Sequence, residues 1–316
     1  MRRFVAMTAA LAVMVITSVT QASQPLVDSN WVKANIDKSD VVFLDVRGKL
    51  AGQSKKHYLH SHIPGAIWTN YLADGWRIKN KNNIVGMLPS KVQLEKLIGG
   101  LGIDNNDHVV IIPGGTKALD IGTATRIYWT FKMLGHDSVS ILDGGMVAYT
   151  RERNKETKKP VNPLQAGDVK VISKTYTARA FRTEMIATKS DVLSATTSGI
   201  LIDNRPNNQF LGLQKHGLAK RYGTVPNAKN LPENWMTQNG GGTFRDTKSL
   251  RSLYAHAGVP AEGKQINFCN TGHWASLGWF VSSELLGNKD ATMYDGSMVE
   301  WAADDTLPIV SVLSAK

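Results

Sequence analysis

The chain contains one cysteine in 316 residues, Cys269, and its surroundings suit a nucleophile. Gln265-Ile266-Asn267-Phe268 reads as a short strand and Ala275 onward as a helix, so Cys269-Asn270-Thr271-Gly272-His273-Trp274 joins a strand's carboxyl end to a helix N-terminus. Backbone N–H groups of such a loop point inward and the helix dipole adds partial positive charge. Both favour a thiolate and would equally hold an anion attached to the sulfur. Gly272 allows the tight turn. A free cysteine can also be plain core packing, but a lone thiol at this position reads as a catalytic nucleophile.

Two copies of one unit position this loop. Val41-Val42-Phe43-Leu44-Asp45-Val46-Arg47 matches Gly199-Ile200-Leu201-Ile202-Asp203-Asn204-Arg205, and His62-Ile63-Pro64-Gly65-Ala66 matches Thr224-Val225-Pro226-Asn227-Ala228. Leu142-Asp143-Gly144-Gly145 matches Tyr294-Asp295-Gly296-Ser297. The units are far longer than solenoid repeats. In each, short apolar runs (Val41–Leu44, Val109–Ile112; Ile200–Ile202, Gln265–Phe268) alternate with segments of helical spacing. A helix opened by a Ser90…Gln93 capping box and closed at Gly102 has its counterpart around Leu250, Leu253 and Tyr254, closed at Gly258. Helices are expected over Thr125–Leu134 and Ala275–Leu286. The alternation predicts an α/β fold, each copy a parallel sheet with helices on both faces, and ligands at the carboxyl ends of the strands. The expected division is 1–22 targeting segment, 23–155 first domain, 156–170 linker and 171–316 second, catalytic domain.

Residues 1–22 begin Met-Arg-Arg, continue through an apolar stretch and end in Thr20-Gln21-Ala22. That is the pattern of a secretory signal peptide cut after Ala22, of bacterial form, which predicts a periplasmic or secreted protein with no membrane association after cleavage. An uncleaved anchor is the alternative. Hydrophobic residues at 42% and charged residues at 20% exclude wholesale disorder, and one cysteine excludes a disulfide framework or a cysteine metal cluster. The net charge of +11 comes from scattered groups such as Lys55-Lys56 and Lys158-Lys159 with no recognisable nucleic-acid module. It reads as solvated basic faces that attract anions, with no nucleic-acid partner.

In Leu44-Asp45-Val46-Arg47, His62-Ile63-Pro64-Gly65-Ala66 and Leu142-Asp143-Gly144-Gly145, and in their second-copy equivalents with the Cys269 loop, the chain resembles the tandem-domain rhodanese family of sulfurtransferases. The resemblance spans nearly all of the chain after residue 22. It implies two rhodanese-like domains and a nucleophile at Cys269. It also implies a persulfide cradle from Asn270 through Thr271, Gly272, His273 and Trp274, and substrate contact by Arg205; the alternative for Arg205 is a structural salt bridge after a strand-ending aspartate, the role read for Arg47. The implied reaction moves sulfur from a small anionic donor such as thiosulfate, or 3-mercaptopyruvate, to cyanide or a thiol, with no metal or organic cofactor. A persulfide carrier without turnover is a further alternative. A cysteine phosphatase would need an Arg six residues after the cysteine, where this chain has Ala275. The loop lacks the Arg or Lys common in thiosulfate-specific members, which leaves His273 as its one candidate cation. The first copy has no cysteine, and its loop, read as Pro113–Gly122, is longer, so the first domain is expected to be inactive and to wall the site. The Gly240-Gly241-Gly242 run is expected in a flexible loop that flanks the site.

Overall fold

A computed structural model describes residues 23–313; the expected signal peptide, 1–22, lies outside the described residues. The first copy contains strands β1 (Leu26–Val27), β2 (Val41–Asp45), β3 (Ile67–Trp68), β4 (Ile78–Lys79), β5 (Val85–Met87), β6 (His108–Ile112) and β7 (Val139–Leu142). Its helices are α1 (Ser29–Ala34), α2 (Lys55–His60), α3 (Lys91–Gly100), α4 (Ala118–Met133) and α5 (Gly145–Tyr149). The second contains β8 (Ile186–Ala187), β9 (Ile200–Asp203), β10 (Lys229–Asn230), β11 (Gln265–Phe268) and β12 (Ala291–Tyr294). Its helices are α6 (Lys189–Ser198), α7 (Asn207–Phe210), α8 (Thr247–His256), α9 (His273–Phe280) and α10 (Ser297–Trp301).

The two parallel sheets have one topology, β1-β7-β6-β2-β3 and, in equivalent order, β8-β12-β11-β9-β10. Strands β4 and β5 form a separate antiparallel hairpin in the first copy. Side chains alternate across each strand. In β6, Val110 and Ile112 pack on the outer face of the first sheet, whereas Val109 and Ile111 face a core to which both domains contribute. In β11, Ile266 and Phe268 pack outward, and the same parity sends Cys269 inward to the shared core. The catalytic candidate therefore sits between the domains because of its register.

Helices α4 and α9 cross that core side by side. Thr125 and Ser276 hydroxyls pair at 2.9 Å, and Tyr128 meets Phe280 edge-on with ring centroids 4.9 Å apart. A Cβ on Gly122 would lie 2.6 Å from the His273 ring, so glycine is required there for close approach. Helix α4 begins at Ala118, not at the expected Thr125. Gly122, Thr123 and Thr125 are weak helix formers, and burial on nearly every side overrides them. The first-copy loop is therefore Pro113–Lys117, shorter than expected. The expected Ala275–Leu286 helix starts earlier, at His273, and ends in a π turn over Val281–Leu285.

The segment expected as a linker, with the stretch that follows it, runs along the first domain. Gln165 bridges His62, Lys174 N–H donates to the Gly99 carbonyl, and Arg182 pairs with Asp137. Residues 171–182, expected in the second domain, therefore pack on the first.

Candidate active site

Cys269 is 1% exposed and lies in a cleft of about 190 Å³. The second domain lines the cleft with Asn270, Thr271, His273, Trp274 and His216, and the first with Leu50, Leu72, Leu119 and Arg77. Helix α9 begins at His273, so the connecting loop is only Cys269–Gly272. Gly272 has φ +70°, and a Cβ there would meet Arg126 and Asp295 at 2.5 and 2.6 Å. The Ser297 hydroxyl, in a left-handed conformation with φ 48°, accepts the N–H groups of Cys269 (3.1 Å) and Gly272 (3.2 Å). The N–H groups of Asn270, Thr271, His273 and Trp274 take no acceptor among the described residues. They are the donors left for an anion at the sulfur.

The first domain grips the backs of these peptides. Arg126, fully buried, donates to the Gly272 carbonyl at 3.2 Å and pairs with Asp295 at 2.6 Å. Arg77 donates to the Thr271 and Gly86 carbonyls. In a trans peptide the carbonyl and the following N–H point in opposite directions, so a carbonyl held toward Arg126 turns the His273 N–H the other way. Asp295 also accepts the Leu88 N–H at 2.7 Å, and its first-copy twin Asp143 accepts the Phe244 N–H at 2.9 Å. The repeated Asp-Gly motifs thus tie each domain to the other.

Three expectations for the site are corrected. Arg205 does not line the cleft: it is 1% exposed and locked onto Asp203 (2.6 Å) and the Gly223 carbonyl (2.9 Å). Arg47 makes the same bonds to Asp45 and the Ser61 carbonyl. An arginine two residues after a strand-ending aspartate folds back onto it in both copies. Breaking a buried pair leaves an uncompensated carboxylate. Arg205→Ala and Arg47→Ala are therefore both expected to lose about 3–5 kcal/mol of stability, read by denaturant unfolding. Donor selectivity of the folded fraction should be unchanged by either.

His273 is not a counter-charge. Its Nε2–H donates to the Leu119 carbonyl (2.8 Å), so Nδ1 is the acceptor for the Tyr71 hydroxyl (3.0 Å). Burial, followed by the Arg77 charge, pushes it down to about 3, and it is neutral at pH 7. The unfolded chain takes up this proton near pH 6.5 and the folded chain only near 3, so His273 makes stability fall as pH drops through that window. Glu233, pushed up to about 7 by burial, tilts stability the opposite way between about pH 4.5 and 7. The His273 contribution is therefore read as a difference: His273→Gln should show a shallower loss than wild type between pH 6.5 and 4.

The Gly240-Gly241-Gly242 run lies on the first domain's loop, not beside Cys269. The Gly242 carbonyl accepts the Gly144 N–H, and a Cβ on Gly242 would meet Gly115 at 2.4 Å. Asn270 is held by Gln209, whose Oε1 accepts its Nδ2–H at 2.9 Å, and Trp274, the second residue of α9, lines the cleft.

Arg77, Arg126, Tyr71 and Ser297 were not apparent from the sequence. Only Ser297 left a signal, as the one change between Asp-Gly-Gly and Asp-Gly-Ser. The first-copy loop shows what the cradle attracts. Met146 and Val147 N–H groups bond to the Pro113 and Gly114 carbonyls as Met298 and Val299 bond to Cys269 and Asn270. Pro113 thus stands in the place of Cys269. The N–H groups of Gly114, Gly115 and Thr116 converge on the Asp120 carboxylate, at 3.3, 2.6 and 3.2 Å.

The rhodanese-like domain model matches residues 28–152 and 185–304, and the chain belongs to that family, carrying two such domains. The chain is a sulfurtransferase. It is 31% identical over 294 residues to a "Putative thiosulfate sulfurtransferase" of Mycolicibacterium smegmatis, covering 91% of this chain and 98% of that one. It is 32% identical to the protein of the same name from Saccharopolyspora erythraea, covering 90% and 95%. In fold it is similar to SseA of Escherichia coli, whose structure is described with 3-mercaptopyruvate sulfotransferases (TM-score 0.70, 24% identity, 87% of this chain and 99% of that one). It is also similar in fold to Tum1 of Saccharomyces cerevisiae (TM-score 0.74, 19% identity, 92% and 98%).

Proposed function

We propose that the protein is an exported thiosulfate sulfurtransferase working through a Cys269 persulfide. The observation that supports it most is the chain's one thiol, at the floor of an interdomain cleft with loop N–H groups free to hold an anion on the sulfur. The Cys269 thiolate attacks the outer sulfur of the donor, and the donor's sulfur–sulfur bond breaks with its electron pair leaving on sulfite. The Cys269 persulfide then gives its terminal sulfur to cyanide or a thiol, which restores the thiolate. Splitting the transfer into two displacements is nucleophilic catalysis. Thiosulfate as donor is supported by the names of the relatives, and export by the sequence of residues 1–22.

One observation favours a second donor, 3-mercaptopyruvate. The loop contains no cation, Arg205 is withdrawn into its ion pair and His273 is neutral. That leaves Arg77 as the guanidinium lining the cleft, which suits a donor with one anionic group. Intact-protein mass spectrometry after incubation with each donor tests both readings. The expected result is a gain of one sulfur, removed by cyanide. No gain with either donor would refute the persulfide.

A further inference from the structure

We infer that Arg77, supplied by the domain that has no cysteine, binds the leaving group of the sulfur donor. The inference rests on the Cys269 relay proposed above and gives its site an anion anchor. Arg77 immediately precedes the β4–β5 hairpin, and this hairpin carries it across the domain boundary to the cleft that holds Cys269. Its position is built rather than incidental. Nε donates to the Gly86 carbonyl at 3.0 Å and Nη2 to the Thr271 carbonyl, while the Tyr71 ring lies 5.6 Å from the guanidinium carbon. Gly86, at φ +86°, leaves the space: a Cβ there would collide with the guanidinium.

Nη1 takes no acceptor among the described residues. The other groups around the cleft do not compete for the anion. Arg126 is fully buried in its pair with Asp295. His216 accepts the Leu218 N–H at Nδ1, which favours the neutral ring, and His273 spends both ring nitrogens on the first domain. Among the described residues no carboxylate lines the cleft; Leu50, Leu72 and Leu119 complete the first domain's wall. As Cys269 takes the outer sulfur, negative charge grows on the departing sulfite or sulfinate. A guanidinium is the group that best receives such oxygens, in a charge-assisted hydrogen bond. The leucine wall leaves room for an organic body, so a thiosulfonate that releases a sulfinate fits the same anchor.

The test separates the two half-reactions of the full chain. Loading of Cys269 by thiosulfate and by benzenethiosulfonate is followed by rapid-quench mass spectrometry. Discharge of the loaded protein is followed with dithiothreitol, a neutral acceptor. Arg77→Gln should slow loading by about 10- to 100-fold with either donor, the range for one charge-assisted bond. Discharge should stay within about threefold of wild type. Arg77→Lys, which keeps the charge, should recover loading to within about tenfold of wild type and serves if the Gln variant folds poorly. Equal losses in both half-reactions would show that Arg77 merely holds the Thr271 carbonyl, and unchanged loading would also overturn the anchor. A wild-type protein that takes no sulfur from either donor overturns the Cys269 relay and the anchor with it; a wild type that loads while the Arg77→Gln variant loads equally overturns the anchor alone.

Discussion

Cys269→Ser is expected to reduce sulfur transfer by at least about four orders of magnitude, to the rate of the uncatalysed reaction. The substitution is nearly isosteric, so the buried loop and its bonds to Ser297, Arg77 and Arg126 have no reason to move. What changes is the nucleophile: a serine hydroxyl is un-ionised at neutral pH, and His273 is not available to activate it. Neutral His273 donates Nε2–H to Leu119 and accepts from Tyr71 at Nδ1, so neither nitrogen is free to take a proton. Steady-state assay with thiosulfate and cyanide, alongside intact mass, provides the check. A Ser variant with wild-type turnover would end the nucleophilic reading.

Arg126→Ala should be the most damaging substitution away from the sulfur. The guanidinium is fully buried and pairs with an Asp295 side chain only 5% exposed. Removing it leaves a carboxylate in the shared core without its partner, which costs about 3–5 kcal/mol. It also releases the Gly272 carbonyl, so the loop peptide loses its orientation. Urea unfolding should show the midpoint fall, and sulfur transfer by the remaining folded protein should drop by more than the loss of folded fraction explains. Adding Asp295→Asn to Arg126→Gln removes the stranded charge yet keeps an acceptor for the Leu88 N–H. That pair should recover part of the stability without the activity. If Arg126→Ala unfolds at the wild-type midpoint, the ion pair does not hold the domains together.

The strands and the repeat were legible because both are local patterns: apolar runs ending in aspartate, with glycines after the helices. The cysteine loop was legible for the same reason. The groups that face it were not. Arg126 meets Asp295, and Tyr71 meets His273, across most of the chain, and no local periodicity records such pairings. Arg205 reads in sequence as a substrate contact or as an ion-pair partner, because a lone Asp-x-Arg does not say where the guanidinium turns; Arg47 and Arg205 both turn back onto the aspartate. The first turns of helix α4 are not legible because glycine and threonine look like loop in isolation; only their burial against α9 makes them helix. Strand parity, in contrast, was available: Phe268 and Ile266 on the outer face already turn Cys269 toward the other domain.

The carboxylate of Asp120 also bears on how such a protein can change by mutation. Three converging N–H groups left unpaired in the first-copy loop would each cost about 1–3 kcal/mol, and Asp120 satisfies all three from within the same helix that follows them. A cysteine placed at position 113 would therefore arrive beside a nest whose N–H groups Asp120 already takes, where a persulfide finds no free donors. Removing Asp120 first would strand the three N–H groups. Each single step toward a second active centre is thus unfavourable. The two copies of the repeat thus spend the same loop differently: one leaves N–H groups open beside Cys269, while the other closes them on a carboxylate of its own helix.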